Sequence, residues 1–179
     1  MILILKRELD NEMSISFTKS GSTIPSIGLG TWELNGSDCS RVVTEALEIG
    51  YRHIDGAAMY ENESEVGSAI INSGVSREDI FLATKINTTG WTPSNGNGPF
   101  LKNTDISKSF EKSLKDLQTD YVDLLLIHWP RFETNLGDML EILYKLKDAK
   151  KVKEVGVANF NSNLLNECFN LGFKDIFCN

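Results

Sequence analysis

The chain has 179 residues, of which 41% are hydrophobic and 24% are charged, a composition typical of a soluble globular protein with one core. Its net charge of -7 argues against nucleic acid or an anionic membrane as a partner, because both need a basic surface. Three cysteines without a C-x-x-C pair predict neither a disulfide framework nor a zinc site, and they favour a reducing cytoplasm.

The first twelve residues, MILILKRELDNE, contain an apolar run that is too short to cross a membrane. No basic residue precedes this run, as one would in a signal peptide. Met13 is a second candidate start of the protein. We therefore expect residues 1–12 to be an N-terminal extension and residues 13–179 to form the folded domain.

From residue 23 onward, apolar strand-like runs alternate with amphipathic helix-like segments. The polar segment 87–103 is predicted to be a long loop, and loops of this length in compact domains often carry function. The predicted strands cover residues 24–30, 52–55, 80–86, 122–128, 153–160 and 173–179. The predicted helices cover residues 38–49, 62–73, 105–117 and 137–149, with a fifth that begins at Asn161 or Ser162. Glycines are predicted to end three of these helices, at Gly50, Gly74 and Gly172.

Continuous apolar strands that alternate with amphipathic helices predict a parallel sheet covered by helices. Two α/β architectures fit this pattern, an open doubly wound sheet and a (β/α)8 TIM barrel. A dinucleotide-binding sheet of the first kind carries G-x-G-x-x-G after its first strand, but here Gly28 and Gly30 are followed by Glu33 at the third glycine position. The sequence therefore favours a TIM barrel, incomplete in this chain, with about six strands and five helices.

Polar and aromatic residues follow the predicted strands, at the strand ends where barrels collect their chemistry. Asp55, Lys85 and His128 close three successive strands, and Tyr60 follows Asp55 by five residues. A carboxylate, an amine, an imidazole and a phenol at one rim can polarise a carbonyl group and give it a proton. Thr31, Trp32 and Trp129 also follow predicted strands, and Asn159 and Asn179 lie at the ends of the fifth and sixth.

Four motifs occur in a fixed order: GYRHIDGAAMYENESEVG, ATK, SLKDLQTDYVDLLLIHWP and VGVANF. Together they resemble the aldo-keto reductase family, over a stretch from about residue 16 to the last residue. The resemblance implies the reduction of an aldehyde or ketone to an alcohol with NADPH and without a metal. Hydride would go to the carbonyl carbon, and a tyrosine would protonate the carbonyl oxygen.

The resemblance also implies a role for each of the four strand-end residues. Tyr60 would be the general acid, and the ammonium of Lys85 would stabilise the phenolate that remains. Asp55 would pair with Lys85 and keep the amine charged and in place. His128 would donate a hydrogen bond to the carbonyl oxygen and stabilise its developing negative charge.

Other positions carry over from the same resemblance. The cofactor would be bound by Gly30, Thr31, Asp55, Asn159 and Asn179. The substrate pocket would be walled by Trp32, Trp91 and Trp129. Two positions depart from the common pattern of the family, since Ala158 stands where a serine is usual and Asn87 stands where many members have a tryptophan.

A complete barrel of this type takes about 250 residues. We therefore expect this chain to lack the last two strand-helix units, with much of the cofactor site, and to show weak or no activity by itself. Two alternatives are a non-catalytic, cofactor-binding or regulatory member of the family and a remnant without function. The predicted partner is a small carbonyl substrate, with neither nucleic acid nor membrane, and exposed strand edges would favour self-association.

Overall fold

The computed structural model describes residues 16–19, 22–130 and 135–179. The predicted extension 1–12 and the candidate start Met13 lie outside the described residues. An antiparallel hairpin comes first, formed by β1 (Ser16–Lys19) and β2 (Ser22–Pro25). A parallel sheet follows, and its first strands are β3 (Leu29–Gly30), β4 (His53–Asp55) and β5 (Phe81–Ile86). The loop after β5 contains a second, short hairpin of β6 (Trp91–Thr92) and β7 (Gly96–Asn97), and the sheet continues with β8 (Val122–Ile127) and β9 (Val152–Val157).

Within the described residues, a helix follows each strand of the parallel sheet. Each of these strands pairs with the next strand of the same sheet, in the order β3, β4, β5, β8 and β9. This order confirms the predicted α/β barrel architecture. The observed bounds of the four helices predicted with both ends lie within two residues of the prediction. None of the described helices is long and apolar enough to span a bilayer. The helices are α1 (Gly36–Glu48), α2 (Glu63–Asn72), α3 (Ile106–Asp116), α4 (Leu136–Asp148) and α5 (Ser162–Asn170).

A side-chain cap and several glycines mark the ends of the helices. The side-chain oxygen of Asn161 accepts a hydrogen bond from the backbone N–H of Leu164 at 3.0 Å, which confirms Asn161 as the N-cap of α5. Gly172, two residues after α5, has a φ of +99°, a left-handed conformation that glycine adopts without strain. The glycines predicted to end α1 and α2 also have positive φ, which confirms that prediction.

The two faces of the sheet have different neighbours. On β5, Leu82 and Ile86 belong to a large buried cluster that contains the apolar stripes of all five helices. Phe81 and Ala83 alternate with them and point to the inner side of the curved sheet, in a smaller cluster with β8 residues and Phe177. Because side chains alternate along a strand, the remaining inward position of β5, at its carboxyl end, is that of Lys85.

Two predicted strands are not single regular strands in the structure, and a third, predicted over 153–160, ends at Val157. The run 24–30 is divided, because Pro25 ends β2 and a bend precedes β3. In this bend, a Cβ on Gly28 would lie 2.6 Å from Nδ1 of His53, so the chain passes closely over that ring.

The segment 173–179 is not a regular strand in the structure, although it was predicted to be the sixth. It nevertheless lies along β9. Phe177 donates its N–H to Val155 O at 2.8 Å, and Val157 donates to Cys178 O at 3.0 Å. The predicted order of six extended segments is therefore preserved, with the last one held by these two bonds.

Candidate active site

The four residues predicted to act together do lie together. Asp55 is the last residue of β4, Lys85 lies near the end of β5, and His128 directly follows β8. All three occupy inward positions of their strands, and parallel strands bring their carboxyl ends to one rim. Tyr60 reaches the same rim from the 3-10 turn Ala58–Tyr60, which follows β4.

Lys85 is the centre of this group. Its ammonium donates to Asp55 Oδ1 at 2.7 Å and to the carbonyl oxygen of Gly56 at 2.8 Å. It also lies 3.4 Å from the phenol oxygen of Tyr60. Only 8% of Lys85 is exposed, so these contacts act in a medium less polar than water, where charge interactions are stronger.

The turn that carries Tyr60 is fixed by backbone hydrogen bonds. Gly56 donates its N–H to Ala83 O at 2.9 Å, which continues the pairing of β4 with β5 for one residue. Tyr60 donates its N–H to Ala57 O at 3.0 Å and closes the turn. Glu61 then adopts a φ of +57°, a left-handed conformation that redirects the chain into α2. The phenol is thus placed by the backbone as well as by its neighbours.

His128 is held as a neutral ring beside Tyr60. The two rings meet edge to face, with their centroids 5.6 Å apart. Burial and, to a lesser extent, the nearby positive charge of Lys85 lower the pKa of His128 to about 4, against the opposing effect of Asp55. Among the described residues, Nδ1 of His128 has no hydrogen-bond partner. At neutral pH, one ring nitrogen therefore carries a hydrogen and can donate it to a ligand oxygen.

A cavity of about 650 Å³ opens over this group. Its rim is aromatic, because the ring of Trp32 lies 4.9 Å from that of Tyr60 and 6.0 Å from that of Trp91. Trp129 stacks beside His128 on the other side, with centroids 6.2 Å apart. All three tryptophans predicted to wall a substrate pocket do line this cavity, as do Tyr60, Lys85 and His128.

The residues predicted to bind a cofactor are placed differently from one another. Asn159 lines the cavity, and its amide donates to His128 O at 2.7 Å. Thr31 is fully buried, and its hydroxyl lies 3.3 Å from Asp55 O. Gly30 pairs with Asp55 in the sheet. The amide of Asn179 forms two hydrogen bonds with the backbone of Phe160, at 2.8 and 3.1 Å, and does not line the cavity.

Several residues that shape the site were not predicted. Asn62 is buried, and its amide donates to Thr31 O at 2.7 Å and to Leu34 O at 2.8 Å, which holds the loop after β3. Met59, Thr89 and Asn97 line the cavity. The only sequence signal for the last two was the length of the loop 87–103, and Asn62 was assigned only to the predicted start of α2.

Parallel strands that alternate with helices, and that carry polar side chains on the inner face at their carboxyl ends, define part of a (β/α)8 barrel. A known structure has the same fold, the aldo/keto reductase from Brucella melitensis. It superposes with a TM-score of 0.80 at 36% sequence identity, over 90% of this chain and 60% of that one.

The family model of the aldo/keto reductases matches residues 26–179, and the chain therefore belongs to the aldo/keto reductase family. An aldo-keto reductase from Mycolicibacterium smegmatis is 45% identical over 141 residues, which cover 78% of this chain and 48% of that protein. Glycerol 2-dehydrogenase (NADP(+)) from Saccharomyces cerevisiae is 36% identical, over 89% of this chain and 56% of its own length. The chain spans about half the length of these curated relatives.

Proposed function

We propose that this chain carries the reacting half of an enzyme that reduces aldehydes or ketones to alcohols with NADPH. The observation that carries the proposal is the position of Lys85, whose ammonium lies between the carboxylate of Asp55 and the phenol of Tyr60 at the floor of an aromatic cavity. Membership of the aldo/keto reductase family supports the same class of reaction.

In this proposal, Tyr60 donates its proton to the carbonyl oxygen of the substrate. The ammonium of Lys85, 3.4 Å from the phenol oxygen, stabilises the negative charge that the phenol acquires. Asp55 and Gly56 O hold the ammonium in that position. His128 is neutral at physiological pH because of its lowered pKa, and it donates a hydrogen bond to the same carbonyl oxygen.

When bound, a nicotinamide cofactor supplies the hydride that goes to the carbonyl carbon. The chain fits such a group in part, since the cavity of about 650 Å³ has room beside Ala158 and Asn159. Asn159 would hold the carboxamide, with its side chain already oriented by His128 O. Gly30, Thr31, Asp55 and Asn179 are proposed to complete the contacts. The preference for NADPH is supported by the name of the yeast relative, an NADP(+) enzyme.

The test compares Tyr60→Phe with the parent for NADPH consumption in the presence of benzaldehyde. We expect weak turnover from the chain itself. The same pair is therefore measured in a chimera, in which residues 26–179 replace the matching segment of the M. smegmatis relative. There, loss of the phenol proton is expected to lower kcat by about 10² to 10⁴.

The matched control is Tyr51→Phe, which removes a phenol outside the cavity and should leave kcat unchanged. A chimera that works equally well with Tyr60→Phe would refute the assignment of the acid. Binding of NADPH without turnover in the chimera would instead favour a regulatory, non-catalytic member of the family.

A further inference from the structure

The segment 87–98, which we call the Trp91 loop, separates two cavities. Trp91 lines the active-site cavity, whereas the next residue, Thr92, lines a second cavity of about 570 Å³ on the other face of the loop. This second cavity is bounded by α2 and α3 residues such as Glu63 and Lys112. Thr88 is buried at the start of the loop, whereas residues 89–98 are partly or fully exposed. The position of this exposed part therefore depends largely on hydrogen bonds.

Asn87 supplies the first set of these bonds. Its Nδ2 donates to the carbonyl oxygen of Trp91 at 2.8 Å. Its Oδ1 accepts from the backbone N–H of Thr89 and of Gly90, both at 3.2 Å, and from the hydroxyl of Thr89 at 3.1 Å. One side chain thus makes four contacts with the turn that leads into Trp91, and both ends of its amide are used.

Glu61 ties the tip of the same loop to the active site. Its carboxylate accepts from the backbone N–H of Ser94 at 2.9 Å and from the Ser94 hydroxyl. These bonds lower the pKa of Glu61, so the carboxylate is charged at neutral pH. Because Glu61 directly follows Tyr60, the loop tip and the phenol are fixed to one turn of backbone.

The position of Trp91 also reaches Tyr60 through side chains. Its ring lies 6.0 Å from that of Trp32, which lies 4.9 Å from that of Tyr60. Among the described residues that line the cavity, Lys85 is the only one with a charged side chain, and it is already paired with Asp55. The cavity therefore has flat aromatic walls, and its other polar lining residues, Thr89, Asn97 and Asn159, are uncharged.

We propose that Asn87 is a positioning residue that holds Trp91 as a wall of the substrate cavity, and that this wall selects flat aromatic aldehydes over short aliphatic ones. The inference rests on the proposed function, because it names the substrate class of the same site. Asn87 acts through Trp91 and does not line the active-site cavity.

The decisive variant is Asn87→Asp. A carboxylate keeps an acceptor for the N–H groups of Thr89 and Gly90, but it replaces the donor that faces Trp91 O with a second acceptor. The matched control is Asn95→Asp, the same charge change at an exposed residue of the loop tip. A third variant, Ser94→Ala, loosens the loop at its other anchor and leaves Asn87 intact.

The first measurement does not depend on turnover. The chain contains three tryptophans, so labelling with 5-fluorotryptophan gives three fluorine NMR resonances, and Trp91→Phe and Trp129→Phe assign two of them. Asn87→Asp should shift or broaden the Trp91 resonance and leave that of Trp129 in place. In titrations of this resonance with benzaldehyde, we expect the Kd to rise about fivefold in Asn87→Asp, and less in Ser94→Ala.

The second measurement is steady-state kinetics, made in the chimera. Asn87→Asp should raise the KM for benzaldehyde about fivefold, with kcat and the KM for propanal changed less than about twofold. An unmoved Trp91 resonance, or an equal rise in KM for both aldehydes, would overturn the inference. If Asn87→Asp does not fold, Ser94→Ala decides by the same criteria. If the chimera with the parent segment shows no turnover while the Trp91 resonance responds as expected, the proposed function fails and the positioning role stands.

Discussion

The ammonium of Lys85 lies 2.7 Å from a carboxylate oxygen of Asp55, and the two partners differ in exposure: 10% of the Lys85 side chain is accessible to solvent, against 39% of the Asp55 side chain. The cation is therefore enclosed, while its counterion is partly exposed to solvent. Removing either partner should have different consequences, because a charge left alone in an enclosed position costs more than one left beside water.

We expect Asp55→Asn to lower kcat by about tenfold, because an amide oxygen can still accept from Lys85 but no longer balances its charge. Lys85→Met should lower kcat by about 100-fold or more, since the phenolate then loses its stabilising cation. Steady-state kinetics of the two variants and of the double variant measure the coupling. Asp79→Asn, at an exposed residue far from the cavity, is the control.

The buried ring of His128 should make the fold sensitive to acid. An unfolded histidine binds a proton below about pH 6.5, whereas folded His128 resists protonation until about pH 4 because of burial and the charge of Lys85. Since the unfolded state binds more protons in this window, stability is lost as the pH falls. The loss caused by His128 between pH 7 and pH 5 is about 2 kcal/mol.

Urea unfolding of the parent and of His128→Gln at the two pH values tests this expectation, and the variant should lose less free energy of unfolding on acidification. His53 has a lowered pKa for the same main reason, burial, so it adds to the loss in the parent. His53→Gln serves as the comparison. If the parent and His128→Gln have equal pH dependence, the ring of His128 is not buried as described.

Glu63 offers a second test, on the opposite side of the sheet from the active-site cavity. Its carboxyl is buried and accepts a hydrogen bond from the Thr84 hydroxyl at 2.6 Å, and burial raises its pKa. A raised pKa means that stability is lost as the pH increases through the folded value. Glu63→Gln should therefore gain stability relative to the parent as the pH is raised. Glu63→Ala should cost about 1 to 3 kcal/mol at acidic pH, because it leaves the Thr84 hydroxyl without an acceptor, and less as the pH rises.

Thermal unfolding at acidic and at mildly basic pH separates these cases. If Glu63→Gln is less stable than the parent at every pH, the charged carboxylate itself contributes to the stability of the fold.

Tyr144 should tolerate loss of its hydroxyl. Its ring packs against Phe173 with centroids 5.3 Å apart, but its buried oxygen has no hydrogen-bond partner among the described residues. Burial raises the pKa of this phenol to about 12. We expect Tyr144→Phe to keep the stability or to raise Tm by about 2 °C, as measured by circular dichroism. A clear fall in Tm would reveal a bridging water at this oxygen.

The helices and the inner strands could be predicted from the sequence because burial of regularly spaced apolar side chains determines where they form. Phe110 and Leu114 recur at helical spacing and are buried on α3. The run 24–30 was misjudged because it contains enough apolar residues for one strand, while Pro25 and the closeness of Gly28 to His53 divide it. The second effect is a contact between distant parts of the chain, which periodicity does not report.

The site shows the same division. Asp55, Lys85 and His128 could be placed because strand ends in a parallel barrel converge, and the structure brings them together as predicted. The hydrogen bonds of Asn62 and Asn87 could not be predicted, because they depend on which backbone carbonyls the two side chains reach in the fold. An asparagine in a polar loop looks the same in sequence whether it caps a turn or faces solvent.

The alternation of side chains along β5 separates chemistry from folding. Thr84 and Ile86 face the helices, while Lys85 between them faces the cavity. In proteins that evolve from such a barrel, an inward residue at the end of the strand can be substituted and support a new reaction. The outward residues on either side continue to hold the helices in place. The catalytic repertoire of this architecture can therefore diversify one position at a time, without rebuilding the scaffold that presents it.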